Sequence, residues 1–472
     1  MNTIKTIGPA AFTGSLSPPG ELLAELASEY GAHLAIMDHR LEEALAATGF
    51  DGAVIFAGDE RHVFRDDQTY PFRIEPYFKA WLPLTHAPGS FVRLVPGQRP
   101  MLVYRQVEDY WHEPPSDPEG YWTQYFDIRI VRSDAEVRKL SGSGPRWVAI
   151  GSAAERVHRG SGATQPAVND ARFLAHMDFM RATKTKYEIA CMRAAQSIAV
   201  RGHLAVAATY GAGVSELELH HTYLAATGQR EVDLPYPNII ALNEHAATLH
   251  YQRLRAMPTP TNRSLLIDAG AEWNGYAGDI TRTYSANTSD DFAKLIAAMD
   301  ALQQRICGEV RPGVDFMVLH ALAHRQLAAL LREAGITRCS ADEAVATGIT
   351  RAFLPHGLGH SLGLQVHDAG GKVADTAGKK REPPATAQSL RLTRTLEPGF
   401  VVTIEPGMYF IPSLLRATLE RHEDKVNRGI IERLLPFGGI RVEDDVEVTQ
   451  DGHRNLTREA FAAAAPQNRG RR

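Results

Sequence analysis

Cysteine is scarce in this 472-residue chain: there are three, Cys191, Cys307 and Cys339. An odd, widely spaced set excludes a disulfide framework, and no Cys-x-x-Cys pair offers zinc-binding spacing. Buried free thiols are the expectation, and a reducing compartment suits this usage. An excess of charge of one sign is lacking too. The 51 basic residues stand against 55 acidic ones, a formal net charge of −4. That balance gives no electrostatic basis for gripping nucleic acid or a membrane surface. Nowhere do 18 consecutive apolar residues occur, so no membrane span is expected. The first residues, MNTIKTIGPAAFTGSLSPPG, hold one lysine and no apolar run of signal-peptide length. A cytoplasmic protein is the expectation, with its Asn-x-Ser/Thr triplets at Asn262, Asn287 and Asn455 unmodified.

What is present is ordinary for a globular enzyme: 44% hydrophobic and 22% charged residues. At about 150 residues per domain the length allows roughly three domains, and two larger ones equally well. Residues 1–20, rich in Gly, Pro, Ser and Thr, read as loose. Leu22, Leu23, Leu26, Leu34, Met37, Leu41 and Leu45 have helical spacing and predict a helix over 21–48. Strand-like runs follow at 51–58, 90–97, 100–106 and 146–152, and their alternation with helical stretches indicates an α/β domain. Segment 109–122 reads as a Pro- and aromatic-rich loop, and KLSGSGP (139–145) as a turn. Near residue 180 the character changes. Helical patterns cover 187–210, 216–226, about 290–310 and 315–334, and strand-like pieces lie at 238–242, 264–270, 278–285, 399–410 and 438–448. A boundary at 175–185 divides the chain into domains 1–178 and 179–472. The basic end of the tail is expected to fray.

Three segments carry chemistry. In LLIDAGAEWNGYAGDITRTY, Asp268 and Asp279 lie eleven positions apart around Asn274-Gly275, a strong hairpin signal. A hairpin would set the two carboxylates across from each other, where they repel unless protonated or neutralised by a cation. Taken alone, the pair reads as readily as a turn aspartate beside a surface one. LPHGLGHSLGLQVHD holds His356, His360 and His367 among Gly357, Gly359 and Gly363. The glycines argue against a regular helix and permit close backbone approach; imidazoles serve as metal ligands, proton carriers or oxyanion donors. Glu405 and Glu443 each end an apolar run, a costly place for a carboxylate unless it is paired or metal-bound, although either alone also fits a strand-end surface glutamate. Four carboxylates carry −4, which two divalent cations neutralise, and a bridging hydroxide leaves −1. Oxygen-rich ligation favours a hard ion: Mn²⁺ first, then Co²⁺ or Zn²⁺. His220 and His221, adjacent on a helical stretch, do not share a face and read as surface residues. GKK at 378–380 lacks the glycine and strand of a phosphate loop.

These motifs resemble the pita-bread metallopeptidases, most closely the bacterial Xaa-Pro dipeptidases (prolidases), including the organophosphorus acid anhydrolase branch. The resemblance runs through DDQTYPF (66–72), FKAWLP (78–83), NIIALNEHAATLHY (238–251), IDAGAEWNGYAGDITRTY (267–284), PHGLGHSLGLQVHD (355–368), LRLTRTLEPGFVVTIEPGMYF (390–410) and PFGGIRVEDD (436–445). It implies an α/β (α+β) fold with a creatinase-like N-terminal domain followed by a pita-bread catalytic domain. It also implies a metallo-exopeptidase that splits Xaa-Pro dipeptides with a metal-bridging hydroxide, organophosphate hydrolysis being a side activity. The family's metal ligands fall on Asp268, Asp279, His360, Glu405 and Glu443, with Asp279 and Glu443 bridging and Glu405 also moving the proton. His250 and His367 match histidines at the scissile carbonyl, and His356 a substrate-contacting one. Arg391 matches the arginine that grips the proline carboxylate. On its own it reads as a solvated base near Arg394. Arg441 matches an arginine beside the metals, and Tyr236 and Val366 match the pocket for the N-terminal residue. Asp67 matches an acid brought to the site of the partner in a homodimer. An aminopeptidase for longer Xaa-Pro peptides and a non-catalytic binding module of the same fold are the alternatives.

Overall fold

The computed structural model describes residues 17–108, 110–141, 144–154 and 165–465. The loose start before Ser17, part of the 139–145 turn and the basic tail fall outside these residues. The helix Gly20–Thr48 buries Leu22, Leu26, Leu34, Met37, Leu41 and Leu45, as their spacing predicts, and stops at Gly49 in the left-handed conformation (φ 81°). Six strands follow: β1 (Gly52–Phe56), β2 (Phe91–Leu94), β3 (Met101–Arg105), β4 (Asp127–Val131), β5 (Trp147–Ile150) and β6 (Ala167–Val168). They form one sheet in the order β4-β3-β2-β1-β5-β6, with β1 antiparallel to β2 and parallel to β5. Ala53 and Ile55 face the helices Gly20–Thr48 and Ala171–Arg181, while Val54 and Phe56 pack with Val137 of the helix Asp134–Leu140. Alternation along a strand thus produces the two covered faces of the expected α/β domain. The helix Ala171–Arg181 runs across the residue-178 boundary.

The helix Lys186–Thr209 opens with a capping box between Thr185 and Glu188 and is buried over most of its length. It supports the second half of the chain. There β7 (Ile239–Leu242), β8 (Ser264–Asp268) and β11 (Thr281–Ser285) form a sheet in the order β11-β8-β7. Between β8 and β11, strands β9 (Glu272–Trp273) and β10 (Tyr276–Ala277) make the hairpin tip. Asn274 (φ 50°) and Gly275 (φ 86°) are both left-handed, as a two-residue turn of primed type requires.

A second antiparallel ladder joins β12 (Val401–Ile404) to β15 (Asp444–Val448) and β13 (Gly407–Tyr409) to β14 (Gly439–Arg441). Val401↔Glu447 and Tyr409↔Gly439 share one register, so the run read as one strand over 399–410 is a single ladder with a gap. The gap lies at Glu405-Pro406, where proline has no N–H to offer. β16 (His453–Asn455) completes the edge beside β15. The helices Asp291–Cys307 and Phe316–Glu333 cover the outside through Phe292, Met299, Leu302, Leu319 and Leu327, all in the largest core. All three cysteines are buried free thiols.

A buried ion triad ties the end of the helix Ala171–Arg181 to the histidine segment 355–368. Asp368 accepts from Lys184 Nζ at 3.0 Å and from Arg181, and its side chain is fully buried. Burial pushes the Asp368 carboxyl up, but the two cations outweigh that and hold it below the usual range. Asp368→Asn should destabilise the protein by about 3–5 kcal/mol, because two buried cations lose their counter-charge. Urea unfolding at neutral pH measures this, and a change below about 1 kcal/mol contradicts it.

Candidate active site

The two ladders converge on the four acids. Along the first, Asp268 pairs with Thr281, and the register that runs through the turn sets Asp279 opposite Gly270. The aspartates are therefore diagonal neighbours on one face, not directly opposed as the spacing predicts, because the turn centres on 274–275 rather than on their midpoint. Gly270 is required there: a Cβ would lie 2.1 Å from the Gly278 carbonyl oxygen and 2.8 Å from the Tyr236 ring. Along the second ladder, the shared register sets Glu405 opposite Glu443 at the proline gap. Thr281 joins the ladders. Its carbonyl accepts from Glu443 N at 3.1 Å and its hydroxyl donates to Glu443 Oε2 at 2.6 Å.

His360 arrives on a segment that docks along β12. Thr403 N donates to His360 O at 2.9 Å, and His360 N donates to Thr403 Oγ1 at 3.0 Å. Gly359 makes this approach possible, since a Cβ would meet the Thr403 carbonyl oxygen at 1.9 Å. His360 Nδ1 contacts Ser361 O at 3.0 Å, which directs Nε2 toward Asp279 Oδ2 (3.5 Å) and Glu405 Oε1 (3.6 Å). Ligand atoms of Asp279, His360 and Glu443 all lie within 4.8 Å of one another.

The electrostatics describe a cluster built for cations. Burial, then Asp279 and Glu405, lifts the Glu443 carboxyl well above the usual carboxylate range. Burial likewise lifts Glu405 to about 7, and it raises Asp268 despite Arg441. Asp279 moves the other way: burial pushes it up, but His360 and Tyr236 outweigh that. Burial opposes charge on His360, yet Asp279 and Glu405 outweigh it and raise its pKa. Asp268 Oδ1 is buried with no hydrogen-bond partner among the described residues. Four carboxylates, one imidazole and an orphaned inward oxygen fit hard divalent ions.

The surrounding groups hold the ligands in place. Tyr236 OH donates to Asp279 Oδ1 at 2.6 Å, and the Arg441 guanidinium donates to Asp268 Oδ2 at 2.6 Å, to Thr281 Oγ1 at 3.1 Å and to Tyr409 OH at 2.8 Å. Tyr409 OH in turn lies 2.8 Å from His356 Nε2, and His356 Nδ1 lies 2.7 Å from Gly357 O. Both nitrogens of His356 are thus engaged. Asp445, next to Glu443 and Asp444, accepts from Asp279 N at 2.9 Å and from Gln196. Sequence reasoning singled out neither Thr281, Tyr409, Gln196 nor Asp445. The period-2 offset of Thr281 from Asp279 was a usable signal, whereas the contact between Gln196 and Asp445, distant in sequence, left none.

A cavity of about 460 Å³ opens onto the cluster. Tyr236, His250, His356, Val366, His367, Arg391 and Arg441 line it together with Asp268, Asp279, His360, Glu405 and Glu443. His367 packs edge-on against His360, with ring centroids 4.4 Å apart, and burial lowers its pKa to about 4, with His360, Arg391 and His250 adding to the shift. Arg391 and Arg394 separate cleanly. Arg394 is buried between the rings of Phe179 and Phe400, at 4.1 and 4.7 Å, while Arg391 is exposed in the cavity. Asp67 lies exposed on the turn closed by the His62↔Thr69 bridge and does not line this chain's cavity. His220, expected at the surface, is instead buried beside Asn238, because its helix packs that face against β7; His221 is exposed. Among the described residues no helix is long and apolar enough to cross a membrane.

With four acids on two ladders and His360 docked beside them, the likeness to known families has a structural basis: the chain belongs to metallopeptidase family M24, whose profile matches residues 190–450. The profile of the Xaa-Pro dipeptidase N-terminal domain matches residues 28–179. Within the family the chain is 46% identical over 443 residues to an Xaa-Pro dipeptidase of Stenotrophomonas maltophilia (strain K279a), covering 92% of this chain and 98% of that one. It is 47% identical over 437 residues to an Xaa-Pro dipeptidase of Xanthomonas campestris pv. campestris (strain B100), covering 92% and 98%. Among solved structures it resembles proline aminopeptidase P II from Yersinia pestis, with TM-score 0.69 and 24% identity over 92% of this chain and 96% of that one. The aminopeptidase PepP of Pseudomonas aeruginosa gives TM-score 0.68 and 23% identity over 93% and 98%. At that identity the likeness speaks for the fold.

Proposed function

We propose that this chain hydrolyses Xaa-Pro dipeptides, with two divalent ions, Mn²⁺ first, held by Asp268, Asp279, His360, Glu405 and Glu443. The observation that carries the reading is the free guanidinium of Arg391 in the same cavity as the five ligands. Bound divalent ions supply a water of lowered pKa and polarise the scissile carbonyl. Arg391 offers a two-pronged donor for the carboxylate of the C-terminal proline and so selects a two-residue substrate. His367 and His250 stand at the rim to donate to the carbonyl oxygen as it gains charge. Glu405 faces the same cavity as the substrate-facing groups and is the carboxylate placed to carry a proton to the departing proline nitrogen. Arg441 and Tyr236 fix Asp268 and Asp279, and His356 braces Tyr409. Tyr236 and Val366 border the space for the N-terminal side chain.

The exposed position of Asp67 supports a homodimer in which this turn reaches the partner's cavity. A cytoplasmic setting suits the free thiols. Organophosphate triester hydrolysis follows as a side activity, since the same activated water attacks phosphorus. Arg391→Ala should raise KM for Ala-Pro by about tenfold to a hundredfold, on the order of 2 kcal/mol for a charge-assisted bidentate pair, and narrow the preference over Ala-Pro-Ala. Steady-state kinetics on both peptides measures this. Unchanged dipeptide turnover, or tripeptides outcompeting dipeptides in the wild type, favours the longer-peptide alternative. A metal-loaded sample inert toward every Xaa-Pro peptide favours a binding module.

A further inference from the structure

Outside the metal cluster, the Glu216 carboxylate is wholly buried and fully hydrogen-bonded. Glu216 opens the helix Glu216–Thr227, after the cap Ser215, with no exposed surface. Its Oε1 accepts from Leu242 N at 2.9 Å and lies 2.6 Å from His245 Nδ1. Its Oε2 accepts from Tyr251 OH at 2.6 Å and Arg255 N at 2.9 Å. His245 Nε2 is buried with no partner among the described residues, which assigns the ring proton to Nδ1, pointed at Glu216. The His245 and Tyr251 rings stack at 4.7 Å and 16°. Two donors on each oxygen complete the capacity of an ionised carboxylate, and the helix N-terminus adds a favourable field.

All four donors belong to one segment, 242–255, and they bracket His250. Tyr251 directly follows His250, so the anchored side chain and the cavity-lining one are neighbours in the chain. The start of the segment is fixed independently: Asn243, in a left-handed conformation (φ 56°), accepts from Arg263 N at 2.6 Å and donates to Thr261 O at 2.7 Å. Between Asn243 and Arg255 the loop has little regular structure beyond one short turn, Asn243–Ala247. A carboxylate with four partners along such a loop fixes its path, and a buried charge is retained at a desolvation cost that only its partners offset.

We propose that Glu216 is a positioning residue for the hydrolytic reaction: its carboxylate sets the 242–255 loop so that His250 faces the scissile carbonyl. This rests on the role given to His250 above. A glutamine has one acceptor oxygen for these four donors and presents an amide N–H₂ to at least one of them, so the loop must shift.

Kinetics on Ala-Pro with Mn²⁺-loaded wild type, E216Q, E216D, H250A and the double variant E216Q/H250A test this, alongside metal content and thermal unfolding. E216Q should lower kcat by about tenfold to a hundredfold, the scale for an ångström of misplacement, with metal content and KM little changed. E216D should recover part of that loss. In the H250A background E216Q should add less than about twofold, because a group already removed cannot be misplaced. Fully additive losses, an unchanged kcat in E216Q, or a loss matched by lost metal overturns the proposal while His250 keeps its role. Wild-type turnover in H250A overturns the role of His250 itself. Should E216Q fail to fold, Y251F, which removes one donor, replaces it in the same cycle and is read by the same outcomes.

Discussion

Asp279→Asn should cut turnover of Ala-Pro by roughly a thousandfold, about 4 kcal/mol of transition-state stabilisation. Asp279 is the centre of the cluster. One oxygen accepts from Tyr236 OH at 2.6 Å, the other faces His360 Nε2 at 3.5 Å, and its backbone N–H is spoken for by Asp445. Asparagine preserves this shape and removes the charge. The four-carboxylate set then falls short of neutralising two divalent ions, so bound metal should fall along with turnover. Tyr236→Phe is the companion measurement. It removes only the hydrogen bond that orients the carboxylate, so the loss should be about tenfold to a hundredfold with metal retained. The ordering is the test. Asp279→Asn retaining turnover within about tenfold and full metal content, or Tyr236→Phe matching it, sinks the metal-centre assignment.

The second large effect concerns the protein stripped of metal. Burial lifts Glu405 to about 7, and burial with Asp279 lifts Glu443 further. An acid whose folded pKa exceeds its unfolded value binds its proton more tightly when folded. Its ionisation destabilises the fold as pH rises from about 4.3, where the unfolded side chain ionises, to about 7, where the folded one does. For Glu405 the loss at pH 8 is on the order of 3 kcal/mol. His203, His320, His324 and His356, whose pKa values burial depresses to about 3 or about 4, impose the opposite slope below about pH 6.5. The comparison is therefore with Glu405→Gln, which removes the Glu405 ionisation together with the charge that Glu443 and His360 sense. In chelator the variant should be more stable than wild type at pH 8, and the gap should close toward pH 5. With Mn²⁺ added the order should reverse, because the ion binds the folded state of the wild type more tightly. Urea unfolding midpoints at the two pH values decide it, and a stripped variant no more stable than wild type at pH 8 contradicts the raised Glu405.

The features legible in the sequence were those set by local rules. The Asn274-Gly275 turn and its flanking strands follow from dipeptide geometry, and Gly20–Thr48, Asp291–Cys307 and Phe316–Glu333 follow from apolar spacing. Glu405 and Glu443 stood out as acids ending apolar runs and Asp268 and Asp279 as acids around a hairpin turn, whereas only the family resemblance singled out His360 from His356 and His367; the structure brings all five to one cavity. Features set by tertiary contact were not legible. The helix Ala171–Arg181 shows too little apolar spacing to announce itself. The split between β12 and β13 hangs on the missing N–H of Pro406, which apolar content conceals. The links among Arg441, Tyr409 and His356 join residues whose neighbours in sequence lie elsewhere, and Glu216 looked like any first-turn helix acid.

The eleven-position spacing of Asp268 and Asp279 acts as a fixed gauge. Because one register runs from Asp268↔Thr281 through Trp273↔Tyr276, a single residue gained or lost between them turns one carboxylate to the opposite side of the sheet. Such a change leaves two strands and a turn that still pair, but separates the two charges the centre depends on. Side chains at the tip are free to vary as far as the turn allows, whereas chain length there is not. Inheritance of this hairpin is therefore constrained by its count of residues more tightly than by most of their identities.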